Sequence, residues 1–433
     1  MSPPGIYVAG ATTAITRRTV LRKAFLAPWD PRVSEVLAYS LADAQRATGV
    51  AVHQFVPVVS HYHGDVTPRS DNLPEFLRRL NRDISCGLHT LLCQQRYDAP
   101  RELFDDRPTH RMRLLDAAAQ ASQLVYHYVN NVAAGLVRRP EHMPQLTFDW
   151  GLWKSGVVEV RRPDFYFGSD RPEVLSLEIT PPPLLYRAFG GDLDALVHHM
   201  CKLSDDAIAA IDAERRRPPM GAREVRRIHP WSEPRTLREP GGEAVPTFRI
   251  GARGIVGRRQ RVAAAREVTA FRQQHHATRL ARRDGDVHAA YPYGTYAARA
   301  YRGEPVEPSP PFGALVAAPG PTLEDVKAEL ACANEPTSAP HALVDEIRAA
   351  LRDEAGEIVE ACDVELHDAR AARPPTTSIT ASTSEPTRPN VFTRHRFDPR
   401  NRDRAPVRII TLRDRRRGPP RGGSARHGVD PPR

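Results

Sequence analysis

The sequence predicts an α+β fold, with helices laid against an antiparallel sheet, over roughly the first 150 residues. Three observations support this. Short runs rich in β-branched residues recur along the segment. Two long stretches between them repeat apolar residues at helical spacing, and turn or cap residues stand at the joins.

The elements follow in order. IYVAGATTAI and VLRKAFLAP read as strands from their β-branched and apolar content. Pro31 to Gly49 repeats Val33, Val36, Leu37, Leu41 and Ala44 at helical spacing and stops at glycine. Val50 to Val59 is an apolar strand, and SHYHGDV adjoins it. Asp71 or Asn72 caps a helix with Pro74 in its first turn and a stripe of Leu73, Phe76, Leu77, Leu80, Ile84 and Leu88. Arg111 to Leu115 is a short strand. Asp116 then caps a helix that runs to Gly135.

Beyond Trp150 the character changes. RRPDFYFGSDRPEVLSLEIT is proline-punctuated and strand-like, and Asp192 to Arg217 is an amphipathic helix. Gly221 to Gly303 is arginine-rich and ends in YPYGTYAARAYRG, which reads as a strand-and-turn core element or as a base-stacking platform. The organisation expected is residues 1–150, an accessory and DNA-contacting region over 151–320, a helical segment over 321–370 and a disordered Arg/Pro-rich tail over 371–433. That tail holds fifteen arginines and five acidic residues, enough to account for the net charge of +10. It is either a nucleic-acid arm or the product of arginine-biased composition.

Five cysteines, none in a Cys-x-x-Cys pair, argue against a disulfide framework or a zinc knuckle. The chain has no apolar run long enough to cross a membrane, and its N-terminus does not read as a secretory signal. A cytoplasmic protein with no membrane partner is expected.

The chemistry centres on two histidines. On a strand, His61 and His63 point to one face while Tyr62 points to the other. Neutral imidazoles bind divalent metals. With 17 histidines, however, chance alone gives roughly 0.7 such pairs, so the pair needs a third ligand. In the helix after Asp116, Ala118, Ala121, Val125, Tyr128, Val129 and Val132 form an apolar stripe. Gln123, Tyr126 and Asn130 share the opposite, polar side, with Tyr126 and Asn130 one turn apart. A partly exposed tyrosine beside a cap-type asparagine gives the same pattern.

A strand-borne His-x-His followed by Tyr126-His127-Tyr128-Val129-Asn130-Asn131-Val132-Ala133-Ala134-Gly135-Leu136-Val137 resembles the REP-associated tyrosine transposases, within the HUH single-tyrosine group. GVAVHQFVPVV and LPEFLRRLNRDI fit as well, so the resemblance covers about residues 5–150. It implies a ferredoxin-like or RRM-like antiparallel sheet with helices on one face (the HUH nuclease fold). It also implies that His61, His63 and Asn130 hold Mg²⁺ or Mn²⁺, and that Tyr126 attacks single-stranded DNA bearing a hairpin or palindromic repeat to leave a 5′-phosphotyrosine. Related transposases occur as monomers and as dimers, so a homodimer is compatible with it. Gln123 could orient the phosphate, although a solvated side chain is the simpler reading. Arg258, Arg259 and Arg261 are the expected DNA-backbone contacts. Ser60, Gly64-Asp65 and Asn131 depart from the family pattern, and a Gly-Asp pair could weaken strand pairing. The alternatives are a catalytically decayed nucleic-acid-binding protein of the same fold and a hydrolase whose histidine pair activates water.

Overall fold

The computed structural model describes residues 4–232 and 246–308. The chain divides into two compact units, Met1–Cys362 and Asp363–Arg433, and every described residue belongs to the first. The helical stretch and basic tail expected after residue 320 lie outside the described residues.

The sheet is built from β1 (Thr13–Arg18), then α1 (Arg32–Thr48), β2 (Ala51–Pro57), β3 (His61–Thr67), α2 (Leu73–Gln94) and β4 (His110–Leu114). Its strand order is β2-β3-β1-β4, so each helical crossover skips one strand. β1 pairs antiparallel with β3 and β4, setting Thr16 opposite His63 and Arg18 opposite His61. The joins follow the expected turn residues except at the start of α2, where Asn72 takes the N-cap position without a capping side-chain bond and donates to the Thr48 carbonyl instead. α1 stops where Gly49 takes φ +66°, a conformation that costs glycine little. Pro74 sits in the first turn of α2, where its missing N–H has no helical partner to lose.

Several expectations are corrected. VLRKAFLAP is not a strand: Val20–Arg22 forms a 3-10 turn with Leu21 and Arg22 at positive φ, and Phe25, Leu26 and Ala27 then enter the core as irregular chain. The sheet is mixed, because β7 (Phe248–Arg249) adds parallel to β4 at one edge. Helices also cover both faces. Tyr62, on one side of β3, donates its hydroxyl to Asn81 of α2 (2.7 Å). His63 and Asp65, on the other side, meet α3 (Ala117–Ala133).

Residues after Trp150 pack into this same core. They form α4 (Leu152–Ser155), β5 (Val157–Arg161), β6 (Val174–Glu178), α5 (Pro183–Ala188), α6 (Leu193–Glu214) and α7 (Ala222–Val225). β5 and β6 make a separate two-stranded antiparallel sheet. The Gln45 amide of α1 exchanges two 2.7 Å hydrogen bonds with the backbone of Glu178. Arg171 bridges the buried carboxylates Asp43 of α1 (3.2 Å) and Asp83 of α2 (2.6 Å). Thr180 donates its N–H to the Val52 carbonyl (3.1 Å), giving the β2 edge a backbone partner that limits strand addition from another chain.

A buried polar chain crosses the molecule. His53 Nδ1 donates to the Thr180 carbonyl (2.7 Å), and its Nε2 bonds Thr67 Oγ1 (2.7 Å). Thr67 meets Thr12 (2.9 Å), which accepts from Gln120 of α3 (2.9 Å). Burial pushes His53 down to about 4, so the folded state keeps it neutral. Finally, α8 (Gly254–Arg283) and α9 (Tyr296–Arg302) close the described chain. The aromatic box is a structural element: Tyr291 is buried, and Tyr293 donates to Glu267 of α8 (2.7 Å).

Asp116 caps α3 through Ala119 N (2.6 Å) and also accepts from Gly251 N (3.0 Å) and Ala252 N (2.9 Å), tying α3 to the β7–α8 loop. A Cβ on Gly251 would lie 2.6 Å from Ala119 N, so this approach requires glycine. Asp116→Ala should cost about 2 kcal/mol or more in urea unfolding, against about 1 kcal/mol for Asp192→Ala, whose carboxylate caps α6 through Ala195 alone. His53 gives a pH signature. Its folded pKa lies below the ordinary value of 6.5, so the unfolded chain binds the extra proton between the two. Its share of stability, roughly 3 kcal/mol, is present above pH 6.5 and lost as pH falls towards 4. Urea titrations of wild type and His53→Gln across that window should show a shallower acid loss in the variant.

Candidate active site

The alternation of β3 places His61, His63 and Asp65 on the face that α3 covers. The two imidazole Nε2 atoms stand 3.0 Å apart, with the rings nearly perpendicular. His63 Nδ1 lies 2.9 Å from Thr16 Oγ1 on the paired strand, and His61 Nδ1 lies 3.3 Å from Ser60 Oγ. The Asn130 side chain approaches the His61 ring.

Tyr126 sits one turn before Asn130 on α3, and its ring meets the edge of His63 with centroids 5.9 Å apart. Two histidines, the asparagine and the tyrosine therefore gather in one place, although Tyr126 lies 63 positions after His63. The polar side of α3 is not solvated. Residues from Ala119 to Val132 are buried on every side, and Tyr126 is only 5% exposed. Tyr128 points the other way, into Trp150 and Phe148.

Three further residues join the site without having been singled out beforehand. His127 stacks on His63, with centroids 4.4 Å apart and planes 16° from parallel. Its Nδ1 lies 2.7 Å from Asp65 Oδ2, and its Nε2 lies 2.8 Å from Gln123 Nε2. Arg249 of β7 donates to the Gln123 carbonyl oxygen (2.7 Å), which fixes the amide so that its NH₂ faces the imidazole. In neutral His127 the proton therefore sits on Nδ1, facing Asp65. Gln123 is a buried link in this chain and not a solvated side chain. The sequence held one usable signal for Asp65: it stands two residues after His63, on the same strand face.

The departures from the family pattern have structural roles. β3 keeps its pairing on both sides through Gly64 and Asp65. A Cβ on Gly64 would come within 3.1 Å of Ile15, so glycine makes room for that core side chain. Asn131 donates to the Pro57 carbonyl (3.1 Å), fastening α3 to the end of β2.

Burial is the largest influence on both histidines. It pushes His61 down to about 3, with the nearby Arg18 and Arg22 charges adding to the effect, and it holds His63 well below the ordinary imidazole range. Both rings are neutral at neutral pH and keep lone pairs for a ligand. Two imidazole ligands at about 2.1 Å and a right angle would have nitrogens about 3 Å apart, so the pair fits a cation. Among the described residues no three His, Cys, Asp or Glu side chains group for metal binding, so a third ligand to the pair would have to be another kind of group, such as the Asn130 amide. A cavity of about 250 Å³ is lined by Arg18, which pairs across the sheet with His61, and by Arg22, Glu102, Phe104, Asp105 and Arg107 among others.

The remaining candidates lie elsewhere. Arg258 and Arg259 are exposed on α8, and Arg261 turns back to the Ala252 carbonyl (2.9 Å). Among the described residues no helix is long and apolar enough to cross a membrane.

No protein-family model matches the chain, and no curated protein sequence matches it. Among solved structures, the chain is similar to one titled "Structure of the REP associates tyrosine transposase bound to a REP hairpin". The identity is 16% over 29% of this chain and 69% of that one, with a TM-score of 0.24. A likeness of that size carries no argument about fold or activity.

Proposed function

We propose that the chain is a DNA strand transferase or endonuclease that cleaves single-stranded DNA through Tyr126. The observation that carries this reading is the contact of the Tyr126 ring with His63, in the pocket where His61 and Asn130 also meet. Under it, the β-α-β-β-α-β connectivity with order β4-β1-β3-β2 is that of ferredoxin-like sheets. Residues 1–150 carry the chemistry, and 151–320 supply packing and DNA contacts.

His61, His63 and Asn130 would hold one divalent cation, which when bound supplies charge neutralisation at the scissile phosphate. Imidazole nitrogens favour Mn²⁺ over Mg²⁺, whose preferred ligands are oxygens. With the cation bound, Thr16 and Ser60 would accept from the Nδ1 protons and orient the rings, turning both Nε2 lone pairs to the metal. The Tyr126 oxygen forms the bond to phosphorus while the bond to the 3′ oxygen breaks. The phenol loses one proton and the departing 3′ oxygen gains one. The resulting 5′-phosphotyrosine preserves the bond energy, so another 3′-OH can reverse the step and join strands. A hairpin or palindromic single strand is the substrate class. The depth of Tyr126 favours a second reading, a nucleic-acid-binding protein of the same architecture without turnover, because a strand must part α3 from its surroundings to reach a phenol this enclosed.

Incubating the chain with hairpin single-stranded DNA and Mn²⁺ should give a covalent protein–DNA band on a denaturing gel. Tyr126→Phe should abolish it, and Tyr128→Phe should keep it. A band that survives Tyr126→Phe, or none from wild type with Mn²⁺, Mg²⁺, Co²⁺ or Zn²⁺, refutes the reading. Metal affinity gives a separate check, read from the free Mn²⁺ electron paramagnetic resonance signal. His63→Ala should remove the site, and Thr16→Val should weaken it roughly 10–100-fold, as loss of an orienting partner does.

A further inference from the structure

We infer that the outer face of α8 is a docking surface for the phosphate backbone of duplex DNA, separate from the tyrosine pocket. α8 is 30 residues long. One side, carrying Gly257, Gln260, Ala264, Phe271 and Thr278, is buried against the protein. At 100° per residue, Arg258, Arg259, Arg266, Arg272 and Arg279 are all exposed and spread over about 160° of the remaining circumference, an arc they share with the exposed Ile255 and Val262. From the first to the last they span about 30 Å along the axis, the length of roughly nine base pairs.

The charge on this face is of one sign. Glu267 is the only acidic residue in the helix, and it turns inward to Arg113 (2.8 Å) and the Tyr293 hydroxyl. None of the five arginines is ion-paired among the described residues. A solvated helix gains stability when acids alternate with bases at i, i+4, and this face forgoes that gain. Such a row suits a polyanion of regular spacing. The outer face lacks the exposed aromatics on which single strands stack, since Phe271 is buried, and this favours a duplex backbone over unpaired bases.

The helix is also held firmly relative to the site. Asp116 joins the loop before α8 to the first turn of α3, and Arg249 on the adjoining strand reaches Gln123. The basic row therefore starts from the segment that braces the helix bearing Tyr126. A duplex stem lying along it would be presented beside the pocket that takes the single strand.

The test is fluorescence anisotropy with a labelled duplex of about 20 base pairs, longer than the row, across a salt series. It uses Tyr126→Phe protein, so binding is read without cleavage and stands apart from the tyrosine chemistry. Replacing Arg259, Arg266, Arg272 and Arg279 with alanine should weaken binding at least about tenfold near 0.1 M salt and lower the log–log salt slope by about 2–4. The same four changed to lysine should keep most of that slope. Alanine at Arg138, Arg223 and Arg226, exposed elsewhere, should leave it unchanged. The inference is overturned if the four-alanine chain, with an unaltered thermal melt, binds like its parent. It is also overturned if the second set loses as much, if a single strand binds α8 in preference to the duplex, or if sedimentation shows that the row joins two copies of the chain.

Discussion

Asp65 is a carboxylate with no exposed surface in the middle of a sheet strand, and its hydrogen bond with His127 is the constraint around which the site is arranged. A buried carboxylate is costly unless donors meet it. Here the imidazole N–H reaches Oδ2, and the end of the Gln54 side-chain amide lies 3.1 Å from the same oxygen. Breaking the His127 contact would remove a main compensation for burying Asp65, which favours the observed register of α3 over β3. Because His127 is held this way, its ring presents a fixed flat surface to His63. The geometry of the paired imidazoles thus rests partly on a bond that neither of them makes, alongside their own contacts with Thr16 and Ser60.

The same logic runs outward. Gln123 secures the far side of His127, and Arg249 secures Gln123. That makes a two-residue edge strand, contributed from far along the sequence, a support of the pocket. Asp116 repeats the arrangement at the start of α3, serving as helix cap and as anchor for the β7–α8 loop. The region after residue 150 therefore does more than extend the surface: it closes the β2 edge, bridges two buried acids through Arg171, and braces the helix that carries Tyr126. Removing it would expose polar groups whose partners lie only there.

Much of the architecture was legible in the chain. The stripe of α2, the glycine stop of α1, the Asp116 cap and the β2–β3 pair follow from local periodicity and turn chemistry, which depend on neighbours a few residues away. The segment VLRKAFLAP misled because its apolar residues enter the core from a 3-10 turn and an irregular loop, and burial alone leaves no period. The reading of α3 failed in a more informative way. Its two sides differ in polarity as they would on a surface helix, yet both are buried, because the polar side faces a strand that is itself polar.

The sequence by itself determined the faces from which the candidate residues project: His61 and His63 along one side of a strand, and Gln123, Tyr126 and Asn130 along one side of a helix. Spacing settles that much, since strand and helix periods fix direction within an element. Only the tertiary structure decided that these two sides meet, that His127 rather than solvent fills the space behind His63, and that Arg249 completes the support. Those outcomes turn on hydrogen-bond partners distant in the chain, which a buried polar group requires but whose identity no local pattern records.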